Sequence, residues 1–187
     1  PPASPPPPTR SPATSASAYP EPMLTELVPV PAGSFRMGST SFYPEEAPIH
    51  TATVADLRAM LDTHVVGTFL CAREALKRMQ PERRGHIIAI ASIAADRAFP
   101  ECGGYTAAKA GQRGLMRVLA EEARPYDIRV TTVLPGATDT PIWDERPGFD
   151  RSKMMQADDL AGLVVAVVAR PMLAIDELTV TPPAGSL

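Results

Sequence analysis

The sequence predicts an α/β fold in which a parallel sheet is flanked by helices. Three observations carry that expectation. From Thr53 to Leu187, helical and strand patterns alternate in the order α-β-α-β-α-β, the signature of strands joined by crossover helices. Two of the strand segments are almost unbroken apolar runs, as strands buried on both faces are. Pro and Gly stand between the segments, where the chain must turn.

The elements follow in order. Leu57, Leu61, Val65, Thr68, Phe69, Ala72, Leu76 and Met79 recur at helical spacing and predict a helix over 54–80, ended by Pro81 and Gly85. His86-Ile87-Ile88-Ala89-Ile90-Ala91-Ser92 predicts a strand buried on both faces. A loop with Pro100, Gly103 and Gly104 leads to a helix over 105–124, ended by Pro125. Ile128 to Leu134 is a second buried strand, broken by Pro135-Gly136. A helix over 158–169 opens with Asp158 and Asp159, which suit the positive end of a helix dipole. Glu177 to Thr181 is the last strand, stopped by Pro182-Pro183. The connections are expected to be right-handed.

Residues 1–22 differ in kind. They hold 9 of the chain's 22 prolines, with Ser, Ala and Thr between them, and cannot bury enough apolar surface to order themselves. The tail has no apolar core of the signal-peptide type. No run of 18 apolar residues occurs, so no membrane helix is expected. The net charge of -3, with 18 scattered basic residues, argues against a nucleic-acid surface or a polybasic membrane anchor. Cys71 and Cys102 form no CxxC pair, which makes a reducing, cytoplasmic setting the default, with Cys71 a small core residue. His50, His64 and His86 lack metal-site spacing, and no metal is expected.

The chemistry concentrates at Tyr105 and Lys109. An i, i+4 offset puts both on one helical face. A phenol has a pKa of about 10, and a nearby ammonium favours its phenolate. Tyr105 can then give a proton to a carbonyl oxygen, or take one from an alcohol, as hydride moves. Ser92, 13 residues earlier, ends a buried strand, where open α/β sheets place their sites. Its hydroxyl can hydrogen-bond the same oxygen. Taken singly, these are also what a helix face, a strand end and a turn present; their order and spacing give them weight.

Ser92, Tyr105-x-x-x-Lys109, the turn Pro135-Gly136-Ala137-Thr138-Asp139-Thr140 and the final Asp176-Glu177-Leu178-Thr179-Val180-Thr181-Pro182 together resemble the short-chain dehydrogenase/reductase family, over about 53–187. The resemblance implies a partial Rossmann-like sheet and NAD(P)-dependent oxidoreductase activity on a small-molecule carbonyl or secondary alcohol. It implies that Ser92 orients the substrate oxygen, that Tyr105 is the general acid/base, and that Lys109 binds the nicotinamide ribose and tunes Tyr105. Pro135, Gly136, Thr138 and Thr140 would line the nicotinamide of NAD or NADP. Homo-oligomers through helices 54–80 and 105–124 are expected as well.

The chain departs from that family in two places. His64 stands where the family usually has an Asn, either as a packed helical residue or as a proton relay. The Gly-rich strand–turn–helix that cradles the pyrophosphate has no counterpart before Thr53, so the first half of the fold is expected to be missing. Leu27-Val28-Pro29-Val30-Pro31-Ala32-Gly33-Ser34-Phe35-Arg36-Met37-Gly38-Ser39 and Phe42-Tyr43-Pro44-Glu45-Glu46-Ala47-Pro48-Ile49-His50 resemble instead the opening of a formylglycine-generating (sulfatase-modifying) enzyme, without that family's catalytic cysteines. The expected organisation is therefore chimeric: a Pro-rich tail at 1–22, a short stub at 23–52, with Met37-Gly38-Ser39 in a structural hairpin, and a catalytic half-domain at 53–187. The alternative to an active oxidoreductase is an inactive truncated chain, at most an interaction module.

Overall fold

The structure, a computed structural model, describes residues 47–185 apart from 145 and 147, all within the second of the chain's two units, Met37–Leu187. The Pro-rich tail, most of the 23–52 piece and the expected hairpin lie outside the described residues. The fold is the α/β arrangement that the sequence predicts.

Helix α1 (Val54–Leu61) starts at a capping box: the Thr53 hydroxyl accepts from the Asp56 amide at 3.2 Å, and the Asp56 carboxylate accepts from the Thr53 amide at 2.9 Å. Two orphan amides are satisfied reciprocally, which fixes where the helix begins. A π-helical stretch, Asp62–Val66, joins α1 to α2 (Gly67–Glu82), so one helical rod runs from 54 to 82. Pro81 does not end this rod. It lies inside α2, and Arg83 ends the helix with left-handed backbone, φ 50°. The Arg83 guanidinium donates to Asp127 at 2.9 Å and to the Pro125 carbonyl at 2.8 Å, and so holds that end against the next strand's start.

Strand β1 (Gly85–Ile90), helix α3 (Gly103–Ala123) and strand β2 (Ile128–Pro135) form a parallel unit, with Ile87 opposite Val130. Two short strands, β3 (Thr138–Asp139) and β4 (Met155–Gln156), pair beside the turn that follows β2. Helix α4 (Ala157–Val168) leads to β5 (Glu177–Val180), which pairs parallel with β2. The main sheet has the order β1-β2-β5. Its central strand is buried nearly throughout. β1 is not buried on both faces as its apolar run predicts: it stands at an edge of the described sheet, and Ile90 is 46% exposed. An apolar run reports that a strand suits burial and says nothing of which neighbours stand beside it.

The core lies between one face of the sheet and the helices α2 and α3. Ala72 of α2, Met116, Leu119, Ala120 and Ala123 of α3, and Ala89, Ile128 and Val130 of the strands form it, with Leu76, Met79 and Ile87 at its margin. Burial of the Met116, Leu119, Ile128 and Val130 side chains stabilises by roughly 1.5–3 kcal/mol each, and of each alanine by less, so this cluster is what seats α3 on the sheet. Arg129 alternates with Ile128 and Val130, so it points to the opposite face. There it donates to the carbonyls of Val168, Arg170 and Leu173 at the end of α4. The C-terminal end of α4 and the turn after it are thus tied to the second face. Cys71, expected in the core, is exposed on α2: it falls outside the inward stripe that Ala72 and Leu76 define.

Candidate active site

All three main strands are parallel, so their C-terminal ends share one edge of the sheet. Ser92 follows the end of β1, and Pro135 ends β2 with Gly136 just after it. The crossover helix α3 must begin at that same edge, which brings Tyr105, in its first turn, to the strand ends. Open α/β sheets gather their sites at this edge because the loops there can vary without disturbing the strands.

Ser92 caps a short 3-10 turn, Ile93–Ala95, its hydroxyl accepting from the Ala94 amide at 3.1 Å. A hydroxyl has a second lone pair and one hydrogen to give. The cap therefore fixes Ser92 without using up its capacity as a donor.

Tyr105 and Lys109 lie one helical turn apart, and the Lys109 ammonium sits 5.6 Å from the centroid of the Tyr105 ring. Lys109 is only 5% exposed. Burial disfavours the charged form and pushes its ammonium down to about 8. The side chain is mainly charged at neutral pH and loses its charge a little above it. Its Nζ donates to Gln112 Oε1 at 3.3 Å, and Gln112 Nε2 donates to Thr68 Oγ1 on α2 at 2.9 Å.

His64 comes from the π-helical stretch. Its ring meets Tyr105 edge-on, with centroids 5.6 Å apart. π-bulges insert a residue into a helix and often stand at functional sites. Here the bulge brings His64 to the Tyr105–Lys109 pair. Gly111 permits the approach of α3 to this stretch, because a Cβ there would come within 3.1 Å of Val65 Cγ2. Burial, and then the charge of Lys109, push the His64 imidazole down to about 4. It is neutral at pH 7, so any change of its charge belongs to acid solution and not to the region near neutrality that its ordinary pKa predicts.

The turn after β2 is pinned by its neighbours. The Gly136 amide donates to the Val180 carbonyl at 2.7 Å, and a Cβ on Gly136 would lie 3.3 Å from both Thr181 and Pro182. Thr138 Oγ1 donates to the Gly136 carbonyl at 3.2 Å, and Trp143 Nε1 donates to the Thr138 carbonyl at 2.8 Å. Thr140 caps the 3-10 turn Pro141–Trp143 without a side-chain hydrogen bond to it. Arg151 ties the loop together through Asp139 and Asp144, each at 2.6 Å.

The structure therefore brings Tyr105, Lys109 and His64 into one cluster and sets Ser92 and the Pro135–Thr140 turn at the same edge of the sheet. Sequence reasoning missed Gln112 and Thr68, although a signal existed: Gln112 is a polar residue in the inward stripe of α3 that Ala108, Met116 and Leu119 occupy. It also missed the clamp behind the site. Arg113 donates to Glu177 through two nitrogens, at 3.0 and 2.8 Å, and to Asp96 at 2.7 Å; Arg117 donates to Glu177 at 2.6 and 3.0 Å. α3, the last strand and the loop after Ser92 are thereby locked together.

Comparison with known proteins gives a consistent set of likenesses. A family model described as enoyl-(acyl carrier protein) reductase matches residues 35–166, beginning inside the 23–52 piece. The chain is 32% identical to the sepiapterin reductase of Chlorobaculum tepidum over 157 residues, covering 83% of this chain and 61% of that protein. Among solved structures, the acetoin dehydrogenase of Enterobacter cloacae shares 26% identity at a TM-score of 0.64, over 78% of this chain and 60% of that one. An alcohol dehydrogenase from Thermococcus sibiricus, solved with 5-hydroxy-NADP, superposes with a TM-score of 0.66 over 75% of this chain and 59% of that one; at 21% identity it shows the fold alone. The chain thus spans about three fifths of the length of these proteins.

Proposed function

The chain belongs to the short-chain dehydrogenase/reductase family of oxidoreductases, and from that premise we propose that it carries the proton-transfer site of an NAD(P)-dependent interconversion of a carbonyl and a secondary alcohol. The observation that carries this reading is the buried Lys109 ammonium held against the Tyr105 ring at the C-terminal edge of the sheet.

The residues present fit the nicotinamide end of such a cofactor. An ammonium has three donors, of which Gln112 takes one, so Lys109 has donors to give to ribose hydroxyls. Pro135, Gly136, Thr138 and Thr140 form a fixed wall for the ring, held by β5 and Trp143. Nicotinamide, when bound, supplies or accepts the hydride.

The chain's own residues handle the oxygen and its proton. In reduction, negative charge develops on the substrate oxygen as its carbon gains hydride. Ser92 donates a hydrogen bond to that oxygen, and Tyr105 gives it a proton. The phenolate left behind is stabilised by the Lys109 ammonium beside it, more strongly because Lys109 is shielded from water. Oxidation runs the same steps backwards. His64, neutral and in contact with the Tyr105 ring, can accept a proton at one ring nitrogen and give one from the other, which suits it to refilling the site from solvent. The substrate is a small carbonyl or alcohol.

A second reading is favoured by one observation. The sequence given has no Gly-rich strand–turn–helix, the element on which this fold class rests the pyrophosphate. On that reading this 187-residue stretch keeps the proton-transfer residues but does not hold cofactor by itself. Calorimetric titration with NADH and NADPH separates the two. Micromolar binding that Lys109→Met weakens supports the first reading; no detectable heat supports the second.

A further inference from the structure

We propose that Gln112 is a positioning residue for Lys109, and that Thr68 is its anchor on α2. The inference deepens the functional reading above and rests on it only for the importance of Lys109; the contacts themselves are tested separately.

The argument begins from burial. Gln112 is 6% exposed, and an amide so buried costs free energy unless both of its ends are paired. Both are. Its oxygen accepts from Lys109 Nζ at 3.3 Å, and its nitrogen donates to Thr68 Oγ1 at 2.9 Å. The orientation of the amide is dictated, because an ammonium only donates and so must face the oxygen. That leaves the NH2 group for Thr68, whose hydroxyl accepts.

The consequence is geometric. A lysine head rides on a flexible four-carbon stem, and α3 alone does not fix where it stops. Among the described residues no carboxylate pairs with Lys109 to hold it. The groups that face it are the Tyr105 ring from its own helix, His64 from the π-helical stretch, and Gln112. Gln112 is itself held from α2 by Thr68, four residues beyond His64 on the same helical rod. The ammonium is thus suspended between two helices. Its distance to Tyr105 is set by the α2–α3 packing as much as by the Lys109 rotamer.

The carboxamide also tunes charge. Its oxygen is the negative end of a dipole aimed at the ammonium, which keeps a buried lysine protonated at neutral pH more fully than an apolar neighbour would. A carboxylate in its place would hold the proton harder still.

The test uses the full chain and needs no turnover. The sequence has three lysines, Lys77, Lys109 and Lys153, so Cε-labelled lysine gives three NMR signals, and Lys109→Met identifies the one in question. Gln112→Leu is expected to lower the titration midpoint of Lys109 by about half a unit or more, and Gln112→Glu to raise it by about one to three units. Thr68→Val, which leaves the Lys109–Gln112 contact but frees the amide, is expected to shift it in the direction of Gln112→Leu by a smaller amount. Lys77 and Lys153 serve as controls and stay put. Should a Gln112 variant fail to fold, Thr68→Val reads the same contact from α2. A Lys109 midpoint unmoved in any folded member of this set would overturn the proposal. Because the readout is a lysine titration, its failure is distinct from a failure to bind NAD(P)H or to transfer hydride, which would overturn the functional reading instead.

Discussion

Two basic side chains share one small space, and each is pushed away from its charged form. Lys109 falls to about 8 through burial, and His64 to about 4 through burial and then through Lys109. Each shift predicts a pH effect. Above about pH 8 Lys109 loses its charge and Tyr105 loses the ammonium that favours its phenolate, so reductase turnover should fall along an alkaline limb centred near 8 in a pH–rate profile. For stability the sign follows from the lowered pKa. Between about 6.5 and 4 the unfolded chain binds a proton at His64 that the folded chain does not, so stability falls as pH falls through that window and levels off below it. His86 acts in the same direction: burial, and then Arg129, hold it at about 4, its Nε2 meets Thr131 Oγ1 at 2.8 Å, and its Nδ1 is buried without a partner. Replacing both residues, His64→Asn with His86→Asn, should shrink the loss of melting temperature between pH 7 and pH 4 by on the order of 5 °C, read by thermal denaturation at the two pH values. His64 was readable in the sequence as a candidate, but the direction of its shift was not, because burial and the nearness of Lys109 are tertiary facts. The role of Gln112 was hidden for the same reason: Lys109 is its neighbour on α3, 3 residues away, but Thr68 lies 44 residues away and only the packing of α3 on α2 brings it near.

At the scale of elements, helix and strand periodicity located each long segment in the right order, because burial on one face leaves a periodic mark in the sequence. What periodicity could not show was how neighbours end and bend those segments. Pro81 is accommodated within the last turn of α2, where Arg83 supplies the left-handed end, and the π-helical stretch interrupts the rod at 62–66 without any Pro or Gly inside it. Ion pairs between distant segments were equally silent. The Arg113–Glu177–Arg117 clamp joins residues 60 and 64 positions apart and fastens α3 to β5. Those hydrogen bonds, from Arg113 first and then Arg117, hold the Glu177 carboxyl down at about 2. A carboxyl lowered in this way contributes stability that is fully present above its ordinary pKa and is lost as pH falls toward 2. Glu177→Gln should cost about 1–3 kcal/mol at pH 7, since it leaves Arg113, 17% exposed, with Asp96 as its remaining carboxylate partner. The cost should shrink to a small fraction near pH 2, where the folded parent is about half protonated at Glu177. Chemical denaturation at the two pH values measures it, and an equal cost at both would mean that packing, not charge, is what Glu177 contributes.

At the scale of the molecule, the exposed apolar residues set the expectation for assembly. Leu57, Val66, Phe69 and Leu70 lie along the rod from 54 to 82, and Val118 on α3 is 57% exposed. Exposed apolar surface of this kind favours association, so light scattering should find dimers or larger species, and a clean monomer would remove helices 54–82 and 103–123 as the assembly surface. On the second reading, affinity for cofactor is weak in this 187-residue stretch. A few charge-assisted hydrogen bonds at the nicotinamide end leave little after the entropy of association, giving a dissociation constant of about millimolar or weaker. Catalysis is therefore best measured with the chain joined to the Gly-rich half of a relative, in which NADH and NADPH binding can first be confirmed by fluorescence. The most direct test of the central claim, that Tyr105 beside Lys109 is the proton-transfer group, is the turnover of that joined protein with Tyr105→Phe. The account predicts that kcat falls by at least about a hundredfold while NAD(P)H affinity is unchanged. Turnover equal to that of the parent would contradict it.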